Sequence, residues 1–218
     1  MLQRSSIKLL AALVVLIAVS LVSPQKSSAQ MYWPPEPYRY WGMWMFRDQD
    51  AFHIFWLQSD PEFLWNTIGH AVSKDLLHWK PLPPIPSKGA PGTWDEDPTM
   101  TGVTIGVRKP FMYRGREAHY AMFYCSESPF RARNKNNPGL EGQQVGVMFS
   151  DDLMHWDKYA ENPVMELTPP YYYHPGIEFR DIDVEYDEEK EIYHAYVGSE
   201  AAVQSPEIAP VHHRTIVA

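Results

Sequence analysis

The sequence predicts an all-β chain built from about three copies of one sheet module. Three observations carry that prediction. The octet SKDLLHWK at 73–80 returns as SDDLMHWD at 150–157, and Gly69 and Gly146 ahead of it share the same 77-residue offset. A second series, FHIFWLQS (52–59), YAMFYCSE (120–127) and YHAYVGSE (193–200), runs apolar with β-branched and aromatic residues and is bounded by turn residues, as strands are. Upstream of each lies a tight polar turn: Arg47-Asp48-Gln49-Asp50, Tyr113-Arg114-Gly115-Arg116 and Tyr186-Asp187-Glu188-Glu189-Lys190. Helix-period amphipathicity is absent after residue 30.

Taken in order, residues 1–29 stand apart. Arg4 and Lys8 precede the apolar run at 9–22, and polar SPQKSSAQ follows, with Ser27-Ser28-Ala29 as the best cleavage site. The run is shorter than the ~20 residues a spanning helix needs, so it reads as an export signal and not an anchor. A secreted or periplasmic protein with no membrane contact after cleavage is expected. Cleavage would remove three positive charges and no acid, moving the net charge from −8 to −11. So acidic a chain is a poor partner for nucleic acid, which is held by excess Lys and Arg.

Residues 30–200 are expected to form the modules, over roughly 37–86, 92–168 and 176–200 onward. Each reads as strand, turn, strand, then a further strand leading into Ser-x-Asp-Leu-x-His-Trp. A recurring all-β unit of this size marks a propeller blade or a similar array. The octet is read as architecture: Ser and Asp two apart tie a turn to its own backbone, Leu plugs between sheets, and Trp covers the blade edge. His78 and His155 carry little functional weight on that reading. Residues 201–218 lack the stamp and are expected to be a tail or the start of a further blade.

The single Cys125 permits no internal disulfide and is expected to be a buried small hydrophobe. Fourteen per cent aromatic residues, with 8 Trp and 13 Tyr, suit either a large core or a sugar-binding cleft. No His-Glu-x-x-His, paired Cys, Gly-rich phosphate loop or Gly-x-Ser-x-Gly elbow occurs, so no metal or other cofactor is expected. His212-His213 lacks a second pair of ligands. Tyr171-Tyr172-Tyr173-His174-Pro175 suits an aromatic sugar platform or packing equally.

A Ser-x-Asp-Leu-x-x-Trp stamp once per blade, with Arg-Asp opening a later blade, resembles the five-bladed propeller glycosidases of glycoside hydrolase families 32 and 43. The likeness is closer to family 32, the β-fructosidase group. Trp41-Gly42-Met43-Trp44 resembles that group's first-blade opening. Trp94-Asp95-Glu96-Asp97-Pro98-Thr99-Met100-Thr101-Gly102-Val103 resembles its second-blade Asp-rich segment, and Phe179-Arg180-Asp181-Ile182 its third-blade Arg-Asp-Pro motif.

The resemblance implies a five-bladed propeller of which about three blades are present, and chemistry on fructosyl or related furanoside sugars. Cleavage of a glycosidic bond usually takes two carboxyl groups. In the family a first-blade Asp attacks, a third-blade Asp holds sugar hydroxyls, and a fourth-blade Glu is the acid/base. Asp181 matches the third-blade residue and is the catalytic-site candidate, with Arg180 beside it. Trp41, Trp94, Asp95 and Asp97 complete the substrate-binding candidates, although turn stabilisation is as good a reading of Asp95 or Asp97. Gly42 stands where the attacking Asp is expected, and a fourth-blade Glu would lie beyond a further stamp. Two functions follow: an exported glycoside hydrolase impaired by these departures, or a non-catalytic carbohydrate-binding remnant.

Overall fold

The computed structural model describes residues 32–34, 36–59, 65–96, 99–127, 143–166, 179–199 and 214–215. Among them there is no helix, and the strands form three antiparallel sheets. The first sheet runs in chain order through β1 (Arg39–Asp48), β2 (Ala51–Ser59), β3 (Trp65–Ser73) and β4 (Trp79–Pro86). The second contains β5 (Gly102–Tyr113), β6 (Arg116–Ser126), β7 (Gln144–Ser150) and β8 (Asp157–Lys158), with β9 (Met165–Glu166) also paired to β7. The third contains β10 (Phe179–Asp187), β11 (Ile192–Ser199) and β12 (Arg214–Thr215). These are three propeller blades, each starting in the module predicted for it.

The hairpins form where the polar turns sit. Asp48 pairs with Ala51 across Gln49-Asp50, and Tyr113 pairs with Arg116 across Arg114-Gly115. Arg114 and Gly115 both have positive φ, the twist that a two-residue hairpin loop requires. The third hairpin is longer, and Asp187 closes it by accepting from the N–H groups of Glu189 and Lys190. The strand after each stamp was not expected. In WKPLPPIP the prolines sit on an outer strand, where one side of the backbone needs no ladder partner.

The octet is a turn closed by its own side chains, identical in both blades. Ser73 Oγ accepts from the N–H groups of Asp75 and Leu76 at 3.2 and 2.9 Å. Asp75 Oδ1 accepts from Leu77 and His78 N–H at 2.9 and 2.8 Å, and Oδ2 meets His78 Nδ1 at 2.7 Å. Trp79 Nε1 then donates to the Leu76 carbonyl. Ser150, Asp152, Leu153, His155 and Trp156 repeat every one of these bonds. Both leucines take positive φ, 62° and 64°. These bonds hold the Asp75 and Asp152 carboxyls well below the usual range, Asp152 at about 2. The plug reading holds for Leu153, which is buried, and fails for Leu76, which is 42% exposed. Trp156 reaches Phe55 of the first blade, whereas Trp79 has Tyr32 beside it. The paired glycines have a packing reason. A Cβ at Gly69 would fall inside the Trp56 indole, and one at Gly146 inside that of Trp94.

Two clusters join the blades. Phe55, Ile68 and Ile85 pack with Met122, Tyr124 and Met148 between the first and second. Cys125 and Val145 pack with Phe179, Ile182, Val184, Ala195 and Val197 between the second and third. Full burial of one such aliphatic or aromatic side chain contributes roughly 1.5–3 kcal/mol. Polar links reinforce the first seam: Trp44 Nε1 donates to Thr104 Oγ1 at 3.0 Å, and Tyr120 donates to Asp48 Oδ1 at 3.0 Å. Cys125 is wholly buried, and burial pushes its thiol up to about 12, so it is core and not a nucleophile. The packing sets β5 against both β1 and β10, so the leading strands of the three blades lie side by side.

Candidate carbohydrate-binding cleft

The first strands of blades one and three break their ladders at equivalent places. In β1, Trp41 pairs with Leu57 and Met43 with Trp56, leaving Gly42 as a bulge at φ 50°. In β10, Arg180 pairs with Gly198 and the register resumes only at Asp183, with Asp181 at φ 57°. Bulges re-aim side chains and are common beside functional sites. A non-glycine residue in this left-handed region costs ~1–3 kcal/mol, and such strain gathers at ligand sites. Between the two strands runs the approach to β5. Met100 N–H donates to the Cys125 carbonyl at 2.7 Å and Cys125 N–H to the Thr101 carbonyl at 3.2 Å, which fixes Thr101 at the same level.

Thr101 and Asp181 are locked reciprocally. The Thr101 hydroxyl donates to Asp181 Oδ1 at 2.6 Å, and Asp181 N–H donates back to Thr101 Oγ1 at 3.1 Å. No hydrogen bond among the described residues reaches Asp181 Oδ2. On the other side, a Cβ at Gly42 would stand 2.6 Å from the Thr101 methyl. Thr101 therefore fills the space that a first-blade side chain would need.

Around this junction lies a cleft of about 430 Å³, lined by Trp41, Gly42, Leu57, Trp65, Thr99, Met100, Thr101, Arg180 and Asp181. Its size falls in the ~300–1,000 Å³ range of small-ligand sites. Trp41 is 65% exposed and meets Trp65 at 6.4 Å between ring centroids, so the cleft that holds Asp181 also has an apolar indole pair in its lining. Asp181 is the one carboxylate among the described lining residues.

Three of the sequence candidates thus meet here: Trp41, Arg180 and Asp181. Two do not. Asp95 is 3% exposed; its oxygens take hydrogen bonds from Thr93 at 2.8 Å, Tyr124 at 3.1 Å and Lys158 at 2.5 Å. Lys158 also donates to the Ser87 carbonyl, so Asp95 pins the segment between blades one and two onto β8. A structural role accounts for that geometry, and the reading of Asp95 as a sugar-holding acid gives way to it. Trp94 packs on Tyr124 at 5.5 Å and over Gly146, inside the seam and away from the cleft. Asp97, the Tyr171–Tyr173 run, His212-His213 and residues 1–29 lie outside the described residues. Thr101 and Trp65 were not singled out. The signal for Thr101 was its place in the Asp-rich segment at 94–103, one residue ahead of β5.

Residues 42–209 match the model of the glycosyl hydrolases family 32 N-terminal domain, and the chain belongs to that family. Among curated proteins it is 32% identical over 139 residues to beta-fructofuranosidase 1 of Zea mays, covering 60% of this chain and 17% of that one. It is 31% identical over 139 residues to the vacuolar acid beta-fructofuranosidase 1 of a Rosa hybrid cultivar, covering 60% and 19%. The chain spans about a fifth of the length of these relatives. Among solved structures, exo-inulinase from Aspergillus awamori superposes with a TM-score of 0.58 at 19% identity, over 80% of this chain and 36% of that one. Beta-fructofuranosidase from Schwanniomyces occidentalis, complexed with fructosyl-erythritol, gives 0.54 at 20% identity, over 76% and 30%. At these identities the structural likeness is one of fold, and the fold is the glycosidase propeller.

Proposed function

We propose that the cleft between Trp41 and Asp181 binds a fructosyl or related furanoside unit of a carbohydrate, and that this chain holds the sugar without cleaving it. The observation that carries this reading is one cleft lined by the exposed Trp41 indole and, among its described residues, by the single carboxylate of Asp181. An aromatic wall takes the apolar face of a sugar ring, and a carboxylate accepts from its hydroxyls. Hydrolysis needs a second carboxyl group ~5–9.5 Å away. At the first-blade position that would supply one, Gly42 has no side chain and Thr101 occupies the space. Family membership favours the other reading, a working hydrolase, and the same experiment separates the two.

Titration calorimetry with fructose, sucrose and short fructans should show binding that Asp181→Asn weakens by roughly 10–100-fold, the loss expected for a hydrogen bond to a charged group. No reducing sugar should be released. Sugar release abolished by Asp181→Asn would establish the hydrolase, and binding indifferent to Asp181 would remove the cleft from consideration. Export belongs to the same proposal, supported by the basic and apolar segments of residues 1–29 and the acidic chain that follows them. N-terminal sequencing of protein recovered from periplasm or medium should begin at Gln30.

A further inference from the structure

Residues 99–101 are fastened at both ends to groups that line the cleft. At one end Thr99 N–H donates to the Trp65 carbonyl at 3.0 Å, and the Thr99 hydroxyl donates to Ser87 Oγ at 2.6 Å, with both side chains buried. At the other end Thr101 donates to Asp181 Oδ1 and accepts from Asp181 N–H. One short stretch leading into the second blade thus ties Trp65 of the first blade to Asp181 of the third. The neighbours of Thr101 decide which way it faces. A β-branched side chain is stiff at χ1. The Thr101 methyl lies against the space beside Gly42, where Leu57 also stands, so apolar atoms meet apolar atoms and the hydroxyl is left for the carboxylate. Next to that carboxylate is Gly198, where a Cβ would come within 3.9 Å of Asp181 Oδ2. Thr101 therefore engages one carboxylate oxygen, and the missing side chain at Gly198 leaves room beside the other.

We infer that Thr101 is a positioning residue for ligand binding: it commits Asp181 Oδ1 and fixes the carboxylate so that Oδ2 is available to a ligand hydroxyl. Asp181 sits at φ 57°, a conformation that aspartate holds when its side chain is bonded nearby. Thr101 supplies that bond. A carboxylate fixed beforehand loses little rotamer freedom when a ligand arrives, and affinity gains by that much. The inference rests on the proposed sugar-binding function of the cleft. It adds that the grip of Asp181 depends on a hydroxyl 80 residues away in sequence.

The test is a double-mutant cycle. Fructose affinity of the full chain is measured by NMR titration for the wild type, Thr101→Val, Thr101→Ser, Asp181→Ala and Thr101→Val/Asp181→Ala, with a thermal melt of each. Thr101→Val keeps the shape and removes the hydroxyl, and should weaken binding about tenfold. Thr101→Ser restores the hydroxyl and should stay within about threefold of the wild type. In the Asp181→Ala background, Thr101→Val should change affinity by less than about twofold, because no carboxylate is left to position. A threonine that merely shapes the wall would cost the same in both backgrounds and would not be rescued by serine. Either of those results, or wild-type affinity in Thr101→Val, overturns the positioning role and leaves the cleft standing. A wild-type chain that binds no fructose, or binding indifferent to Asp181→Ala, overturns the cleft and the positioning role together. Should Thr101→Val fail to fold, Thr101→Ala is put through the same cycle with the same expected losses.

Discussion

Acid should unfold this protein through a pair of histidines in its first blade. His53 Nδ1 and His70 Nε2 lie 2.8 Å apart, at 8% and 1% exposure. His70 is clamped under Phe55, ring centroids 4.3 Å apart, and its Nδ1 has no partner among the described residues. One proton fits between the two nitrogens. The less costly arrangement has His70 Nε2–H donating to His53, which leaves His70 Nδ1 a bare acceptor in place of a stranded N–H. Burial and the neighbouring His53 hold His70 down to about 3, from an ordinary 6.5; burial also lowers His53, with Asp48 opposing. Asp48, itself bonded to Tyr120 of the second blade, is a charge that acts on His53 of this pair.

A histidine depressed in the fold favours folding above pH 6.5, and that advantage drains as pH falls from 6.5 toward 3, because the unfolded chain takes up the proton and the native one does not. The slope is ~1.4 kcal/mol per pH unit for one group, hence roughly 3 kcal/mol between pH 6.5 and 4. That is a large share of the 5–15 kcal/mol of a typical domain. Urea titrations at pH 7, 6, 5 and 4 measure it directly. His70→Gln keeps a donor toward His53 and cannot titrate, so its stability should fall by much less over the same range. Asp75, Asp152 and Asp187 lie lower still and act below pH 4, outside this window. A wild-type profile flat from pH 7 to 4, or an equal slope in His70→Gln, would refute the buried neutral pair.

Two substitutions probe the separation between scaffold and cleft. Asp95→Ala strands the Lys158 ammonium, the Tyr124 hydroxyl and Thr93, and should cost ~3 kcal/mol by denaturant titration, the low end for a broken buried pair because Lys158 is partly exposed. Fructose affinity should stay within about twofold, whereas a selective affinity loss at full stability would return Asp95 to the sugar site. Gly42→Asp should not create hydrolysis: φ at 50° and the Thr101 methyl 2.6 Å from the new Cβ both oppose it, and stability should drop by ~1–3 kcal/mol. A thermal melt and a reducing-sugar assay decide it.

How much of this was legible in sequence depends on how local the forces are. The stamp could be read because its hydrogen bonds close within four residues, so the same letters give the same turn wherever they fall. Hairpin positions were readable for the same reason. Leu76 and Leu153 mark where locality ends. Their letters, φ values and turn bonds agree, yet only Leu153 is covered, because the second blade's turn lies against the first blade at Phe55. Likewise, Asp95 and Asp97 look alike in WDED. Nothing near them in sequence says that Lys158, 63 residues on, reaches back to bury Asp95. The strand β4 was not foreseen, and its prolines are tolerated because it lies at the edge of the sheet.

The cleft was readable in part because several of its residues sit in the two passages that resemble the family's first- and third-blade motifs, and the structure gives two of them a common backbone conformation. Gly42 and Asp181 occupy the same step of their blades, both in bulges and both near φ 50–57°. At that step glycine is unstrained and aspartate is among the side chains that tolerate it best. The scaffold thus offers equivalent outlets in blades one and three, and only the third carries a carboxylate. Thr101 links the two choices. Its hydroxyl holds Asp181 in the strained conformation, while its methyl faces the space beside Gly42. A threonine so placed serves an aspartate on one side only where the other side is empty. Glycine at the first-blade step and the anchored aspartate at the third-blade step are therefore one arrangement: a carboxylate fixed by Thr101 with no second acid in the cleft lining among the described residues, as the proposed sugar-holding role requires.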